Sequence, residues 1–203
     1  SCVVVVDGER RPCGIFTERD AVALLAEGVI VQAIPVGDVM SSPVVTLPAS
    51  VDYHDAHLHM LEHGVRHLVA VDGDGRVAGV ISEADFLAHL DDEYFLELKT
   101  VATAMTQDLR ALDLGATLGE ALRLMHRRCS DHVVVTEAGA AVGILTDRDV
   151  VRCAGGGERL GTPLAEVMTR GVHSIAPARP LQQAVQLMTE LKVRRLLVVD
   201  DGR

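Results

Sequence analysis

The sequence predicts a mixed fold of the α+β or α/β class that is assembled from tandem β-α-β-β-α repeats. Three observations lead to this prediction: a glycine-led motif that occurs three times, a methionine marker with the same period, and apolar runs with alternating strand and helix spacing. With 203 residues, 48% of them hydrophobic, the chain has enough apolar material for buried cores.

The two recurring markers define the repeat. The glycine-led signature reads apolar-Gly-apolar-x-Ser/Thr-x-x-Asp, and its three copies cover residues 13–20, 78–85 and 142–149. The second marker is Val or Ala followed by Met and then Ser or Thr, and its methionines are Met40, Met105 and Met168. Both markers recur every 63 to 65 residues. Because the markers are unrelated in sequence, a shared period indicates duplicated structural units.

The repeat that follows Met40 shows the order of elements. Its predicted elements are a strand at 44–47, a helix at 51–62, strands at 66–71 and 76–81, and a second helix from Glu83. The sequence Asp72-Gly73-Asp74-Gly75 predicts the hairpin turn between the last two strands. A unit of this size leaves one sheet face half exposed, so we expect it to pack against another copy.

The period divides the chain into two complete and two partial repeats. We expect the second half of a first repeat at 1–28, complete second and third repeats at 36–98 and 101–156, and the first half of a fourth repeat at 163–203. A fourth signature aspartate would fall beyond the last residue, which predicts a longer parent protein.

These repeats resemble the CBS-domain family, named after cystathionine β-synthase, whose units have this element order and this signature. In that family two units pair into a Bateman module whose clefts commonly hold AMP, ADP, ATP or S-adenosylmethionine. The resemblance implies a regulatory module that binds an adenine nucleotide and controls an attached or partner output domain. It also implies that the first repeat pairs with the second, and the third with the fourth.

The end of each signature offers polar groups that suit a nucleotide. A strand that runs into a helix opened by Thr or Ser presents amide donors and a hydroxyl to phosphate. An aspartate one turn later can accept from a ribose diol, an arginine can pair with phosphate, and the glycine admits a ligand close to the backbone. The candidate contacts are Thr17, Arg19, Asp20, Ser82, Asp85, Thr146, Arg148 and Asp149. Asp149 ranks first, because its repeat is complete and its signature retains Thr146 and Arg148.

Other roles remain open for these residues. Arg66 and Arg194 stand at strand starts where related units often place a basic residue near the phosphates, but an exposed strand entrance explains them equally well. The pattern Ser/Thr-x-x-acid is also a helix capping box, and residues 117–120 form an ordinary one. The rival function is therefore a structural or dimerisation element without a nucleotide, or a regulatory insert of a larger enzyme or transporter.

Composition argues against several other functions. A formal net charge of −10 and an aromatic content of 2% oppose nucleic-acid binding, and the apolar runs are too short for direct membrane insertion. The four cysteines lack zinc-type pairing, so we expect reduced core residues in a cytoplasmic protein. The sequence contains neither a motif that pairs a nucleophile with a base nor a Walker-type phosphate loop. We therefore expect no catalysis and no catalytic cofactor.

Two further expectations concern histidines and assembly. His59 and His63 have the i, i+4 spacing that can bind a metal, but no second cluster completes a site, so an exposed polar face is favoured over a metal. Apolar residues on the second helices, such as Val22, Leu25 and Phe86, predict a homodimer through exposed helix faces.

Overall fold

The computed structural model describes residues 1–29, 34–87 and 99–200. The chain divides into two compact units, which we call lobe 1 (residues 1–17 and 33–92) and lobe 2 (residues 18–32 and 93–203). The end of the predicted second repeat, at 88–98, and the hairpin turn expected near the last residues, at 201–203, lie outside the described residues.

Lobe 1 combines a hairpin with a three-stranded sheet. The antiparallel hairpin consists of β1 (Cys2–Val6) and β2 (Pro12–Thr17). The sheet has the order β3-β4-β5, with β3 parallel to β4 and β4 antiparallel to β5. Its strands and helices are β3 (Thr46–Pro48), α2 (Tyr53–His63), β4 (His67–Val71), β5 (Val77–Ser82) and α3 (Glu83–Leu87), preceded by a 3-10 turn at Val36–Asp38.

The predicted elements of the second repeat are confirmed in lobe 1, with ends shifted by one or two residues. The predicted turn forms because the Asp72 side chain accepts from the amides of Asp74 and Arg76, at 3.0 and 2.9 Å. Gly75 takes φ 77°, a conformation that favours glycine. Local turn chemistry therefore fixes the register of β4 and β5.

Lobe 2 holds a four-stranded sheet in the order β6-β7-β8-β9 and a parallel pair of short strands. Within the sheet β6 and β7 are parallel, and the other neighbours are antiparallel. Its elements are α1 (Glu18–Ala26), α4 (Val101–Ala104), β6 (Ala111–Asp113), α5 (Leu118–Arg127), β7 (His132–Glu137), β8 (Ala140–Thr146), α6 (Asp147–Gly156), α7 (Leu164–Val167), β9 (Thr169–Arg170), β10 (Ser174–Ile175), α8 (Leu181–Leu191) and β11 (Leu197–Val198).

The third and fourth repeats exchange backbone hydrogen bonds in a reciprocal pattern. The amides of Leu118 and Leu181, which are equivalent in the two repeats, donate to the carbonyls of Thr162 and Lys99, both at 2.8 Å. A second reciprocal pair of bonds joins Leu164 to Ala116 and Val101 to Arg179, at 2.8 and 2.9 Å. Each bond maps onto its counterpart by a shift of 63 residues. The two repeats are therefore paired about a pseudo-twofold axis, as the predicted fold requires.

Each lobe has its own hydrophobic core. The core of lobe 1 includes Met60, Leu68 and Phe86, and the core of lobe 2 includes Met125 and the helix α1 residue Val22. Val22 and Phe86 are each only 4% exposed. The expectation that these side chains are offered to a second copy is therefore wrong, because the chain buries them itself.

Candidate functional site

The signature of the third repeat forms a closed capping box. Thr146 ends β8, and its amide and hydroxyl donate to Asp149 Oδ2 at 2.9 and 2.7 Å. The Asp149 amide donates back to Thr146 Oγ1 at 3.4 Å. The capping role that competed with nucleotide contact is thus present in the structure.

The other oxygen of the Asp149 carboxylate also has partners. Thr169 Oγ1 donates to Asp149 Oδ1 at 3.2 Å, and Arg152 Nη2 lies 2.8 Å from the same atom. A carboxylate accepts about four hydrogen bonds, and Asp149, which is 5% exposed, already accepts that many. A ribose diol would therefore have to displace Thr169 or Arg152. The Arg152 side chain is 65% exposed, which makes it the easier partner to displace.

The first amides of α6 are occupied as well. The Asp147 amide donates to the Asp131 carbonyl at 3.0 Å, and the Arg148 amide donates to Asp147 Oδ1 at 2.9 Å. The signature predicts unpaired amides that could bind phosphate at this helix start. That expectation is wrong for α6, since its own aspartates and the start of β7 satisfy the donors. Phosphate here would have to be bound by side chains.

The signature glycines contact the methionine marker rather than an open cleft. A Cβ added to Gly143 would lie 2.4 Å from Met168 Sδ, and one added to Gly14 would lie 2.1 Å from Met40 Sδ. At Gly79 an added Cβ would have no neighbour within 4 Å among the described residues. For the first and third signatures, the space expected for a ligand is therefore filled by a thioether side chain.

Two arginines of the candidate set reach the start of α6. Arg148 Nε lies 3.8 Å from Glu18 Oε1 on α1, and Arg194 Nη2 lies 4.0 Å from Asp147 Oδ1. Both guanidinium groups are solvent-accessible, with side-chain exposures of 68% and 40%. Their carboxylate partners are more buried, with side-chain exposures of 12% for Glu18 and 6% for Asp147. The two exposed guanidinium groups are therefore accessible to a second anion.

A tighter acid and base cluster lies beside them. Asp131 forms an ion pair with Arg195, and its Oδ1 lies 2.8 Å from His132 Nδ1. Burial disfavours the charged carboxylate, but the His132 hydrogen bond and the Arg195 charge outweigh it and hold the pKa of Asp131 far below its ordinary value. Asp131 was not among the residues predicted from the sequence. The available signal was an acid at the position that Arg66 and Arg194 occupy in the second and fourth repeats.

The remaining candidates are more scattered. In lobe 1, Asp85 Oδ2 accepts from both the amide and the hydroxyl of Ser82 at 2.7 Å, and Asp85 is exposed. Arg19 on α1 donates to the Cys129 carbonyl. The structure thus brings together Thr146, Arg148, Asp149 and Arg194 in lobe 2, with Arg19 and Asp20 at the start of α1, while Thr17, Arg66, Ser82 and Asp85 belong to lobe 1.

Cysteines and histidines lie elsewhere. Cys153 is buried, and burial raises the pKa of its thiol, but Cys13 and Cys129 are exposed. The expectation of core cysteines is therefore wrong for these two, because they lie at a hairpin edge and a helix end. Glu62 lies close to His59 and His63, and the ligand atoms of the three side chains lie within 4.8 Å of one another.

The fold and these sites define a protein of tandem, paired β-α-β-β-α repeats. The sequence model of the CBS domain matches residues 36–92, 99–156 and 164–203, and the chain therefore belongs to the CBS-domain family. It is 35% identical over 106 residues to the CBS domain-containing protein YhcV of Bacillus subtilis, which covers 52% of this chain and 76% of YhcV. It is 34% identical over 86 residues to MK0525 of Methanopyrus kandleri, covering 42% and 44% of the two chains.

A solved structure has the same fold, and a longer protein contains a similar segment. MJ1225 of Methanocaldococcus jannaschii, a proposed archaeal homologue of γ-AMPK, superposes with a TM-score of 0.85 at 22% identity, over 99% of this chain and 82% of that one. A homoserine O-acetyltransferase of Methanococcoides burtonii is 28% identical over 153 residues, which cover 75% of this chain but 28% of the enzyme. Within the described ranges, no helix has the length and apolar character needed to cross a membrane.

Proposed function

We propose that this chain is a ligand-sensing regulatory module that binds an adenine nucleotide (AMP, ADP, ATP or S-adenosylmethionine) and controls an attached or partner output domain. One observation carries the proposal. Candidate residues from the third and fourth repeats, Thr146, Arg148, Asp149 and Arg194, gather at one helix start in lobe 2. Family membership supports the proposed class of function, and this cluster supports the proposed position of the site.

The proposed contacts use side chains. Arg148 and Arg194 exchange their long ion pairs for the nucleotide phosphate, a stronger acceptor than a single carboxylate. The ribose hydroxyls donate to Asp149 Oδ1 in place of Arg152. We propose that the repeats pair as the resemblance implies, with 101–156 beside 163–203 and, from the first repeat, the hairpin at 1–17 beside the second repeat at 36–98. We also propose that the protein is cytoplasmic and non-catalytic.

Asp149 also offers a route from ligand to output. Thr169, which donates to the same carboxylate oxygen as Arg152, lies in β9, a strand of the fourth repeat that pairs with β8 of the third. A ribose that donates to Asp149 Oδ1 shares that oxygen with Thr169 and so changes the contacts of β9. If the two states of β9 differ in nucleotide affinity, binding shifts their populations, which is the requirement for signalling.

Two alternative functions have support of their own. The closed capping box favours a purely structural role for the signature, since it explains Thr146 and Asp149 without a ligand. The acetyltransferase match favours a regulatory segment within a larger enzyme. The first alternative predicts no nucleotide binding, whereas the second shares the proposed ligand and differs only in the output.

The test compares two capping boxes of the same geometry. In α5, Thr117 donates to Glu120 Oε2 from its amide and hydroxyl at 2.7 and 2.8 Å, much as Thr146 does to Asp149. Isothermal titration with the four ligands would be carried out on the parent chain, Asp149→Asn and Glu120→Gln. We expect Asp149→Asn to weaken binding about tenfold to a hundredfold, because a charged acceptor is lost, and Glu120→Gln to leave affinity unchanged.

Two outcomes would contradict this assignment. Equal affinities for the parent chain and Asp149→Asn would remove Asp149 from the ribose contact. If none of the four ligands binds the parent chain, the structural role is favoured.

A further inference from the structure

We propose that His59, Glu62 and His63 on α2 form a zinc-binding site on the surface of lobe 1. The donor atoms of these side chains lie within 4.8 Å of one another. Among the described residues, these three side chains form a group close enough to share one metal ion. The proposal departs from the sequence-based expectation of a polar helix face. The new element is Glu62, which adds a third ligand to the histidine pair.

The chemistry of the donors selects the metal. Two imidazole nitrogens and one carboxylate oxygen suit Zn²⁺, whereas Mg²⁺ and Ca²⁺ prefer oxygen ligands alone. Two histidines and a glutamate with an open fourth position are an established ligand set for zinc. Water, or a group from another molecule, would complete the tetrahedron on the exposed side of the helix.

A backbone contact prepares His63 for this role. Its Nδ1 lies 2.9 Å from the His59 carbonyl oxygen, so Nδ1–H donates to that carbonyl and the lone pair of Nε2 remains for a metal. Metal-binding histidines commonly donate their other ring N–H to a carbonyl in this way. The contact fixes both the tautomer and the orientation of the ring.

The helix holds the ligands on a fixed backbone. Ala56 and Met60 anchor α2 in the core at 2% and 3% exposure, and Gly64 closes its end at φ 61°. Glu62 and His63 lie in the last turn and His59 directly precedes it, near the helix end where the dipole favours a cation. A net charge of −10 adds to this attraction.

Only small side-chain movements are needed. A tetrahedral zinc with bonds of about 2.0 to 2.1 Å places its donors about 3.3 Å apart. The ring centroids of His59 and His63 are 4.2 Å apart. Since Glu62 is exposed, rotation of its side chain can bring the carboxylate towards the two histidines without moving the backbone, while His63 keeps its bond to the His59 carbonyl.

Titration of the chain with Zn²⁺ alone, in the absence of nucleotide, tests the site. We expect one equivalent to bind, and His59→Ala, His63→Ala and Glu62→Gln each to weaken the affinity by about tenfold or more. His54→Ala is the matched control, because His54 is an exposed histidine on the same helix and outside the cluster. Circular dichroism of each variant confirms that the helix remains folded.

Three outcomes would overturn the proposal. One is no stoichiometric binding of Zn²⁺. Another is an unchanged affinity in Glu62→Gln, which would leave an ordinary histidine pair. The third is loss of the bound equivalent in a Cys13→Ser, Cys129→Ser variant, which would assign the metal to exposed thiols.

Discussion

At the scale of single residues, Asp131 shows how one substitution changes the role of a repeat position. The equivalent positions of the second and fourth repeats hold Arg66 and Arg194. In the third repeat the carboxylate instead pairs with Arg195 and His132, with a side-chain exposure of 23%. The pairing holds Arg195 against Asp131 at a side-chain exposure of 21%, whereas Arg148 and Arg194 at the start of α6 are more exposed, at 68% and 40%.

The Asp131 cluster predicts an acid-sensitive part of the stability. The pKa of Asp131 is lower in the folded chain than the ordinary value of 3.8, so the unfolded chain takes up the proton first as the pH falls. The contribution is fully present above about pH 4 and is lost progressively below it. Urea unfolding should show the parent chain more stable than Asp131→Asn at pH 7, by roughly 1 to 3 kcal/mol, with a smaller difference at pH 3.

A difference between the two proteins that stays constant from pH 7 to pH 3 would contradict this account. It would mean that folding does not lower the pKa of the Asp131 carboxylate.

At the scale of elements, the repeats keep their geometry even where the sequence changes. The first helices of the second, third and fourth repeats are followed by equivalent left-handed residues, Gly64, Cys129 and Lys192, with φ of 61°, 48° and 54°. Glycine signals this helix end only in the second repeat. The other two ends are predictable only through the period, because a cysteine or a lysine carries no such signal by itself.

The contact between signature and marker yields a prediction at this scale. Gly143→Ala should destabilise lobe 2 by about 1 to 3 kcal/mol, since the new Cβ meets Met168 Sδ at 2.4 Å and the Thr169 carbonyl oxygen at 2.9 Å. Gly79→Ala is the matched control. It should be neutral or stabilising by up to about 1 kcal/mol, because the described residues leave its Cβ unobstructed. Urea unfolding of both variants measures the difference, and equal effects would show that the methionine simply moves aside.

Sequence patterns predicted the elements but not the contacts between distant segments. Apolar spacing and turn residues place β4, β5 and α2 to within two residues, because these signals are local. The partners of Asp149 could not be predicted in the same way. Thr169 lies 20 residues further along the chain and approaches Asp149 only because β9 pairs with β8. The prediction of free amides at α6 was wrong for the same reason. The acceptor of the Asp147 amide is the carbonyl of Asp131, which directly precedes β7 and is distant in sequence.

At the scale of the whole molecule, the first repeat is divided between the two lobes. The hairpin β1-β2 belongs to lobe 1, whereas α1 contributes Val22 to the core of lobe 2. The apolar helix residues Val22 and Phe86, which were expected at a dimer interface, are therefore buried within the chain itself. A homodimer stays a prediction, and its interface must use other residues.

The division into two lobes gives the nucleotide proposal its sharpest test. A ligand that binds only the folded state stabilises it by RT ln(1 + [L]/Kd), about 2.7 kcal/mol at a hundredfold excess over Kd. Because Asp149, Arg148 and Arg194 all belong to lobe 2, this stabilisation should slow amide exchange there and spare lobe 1. Hydrogen exchange measured by mass spectrometry, with and without saturating nucleotide, should therefore show new protection in β8, α6 and β9, and unchanged exchange across residues 34–87.

Protection confined to residues 34–87 would instead move the ligand to the Ser82 and Asp85 signature. That result would overturn the first rank of Asp149 while leaving nucleotide binding itself intact.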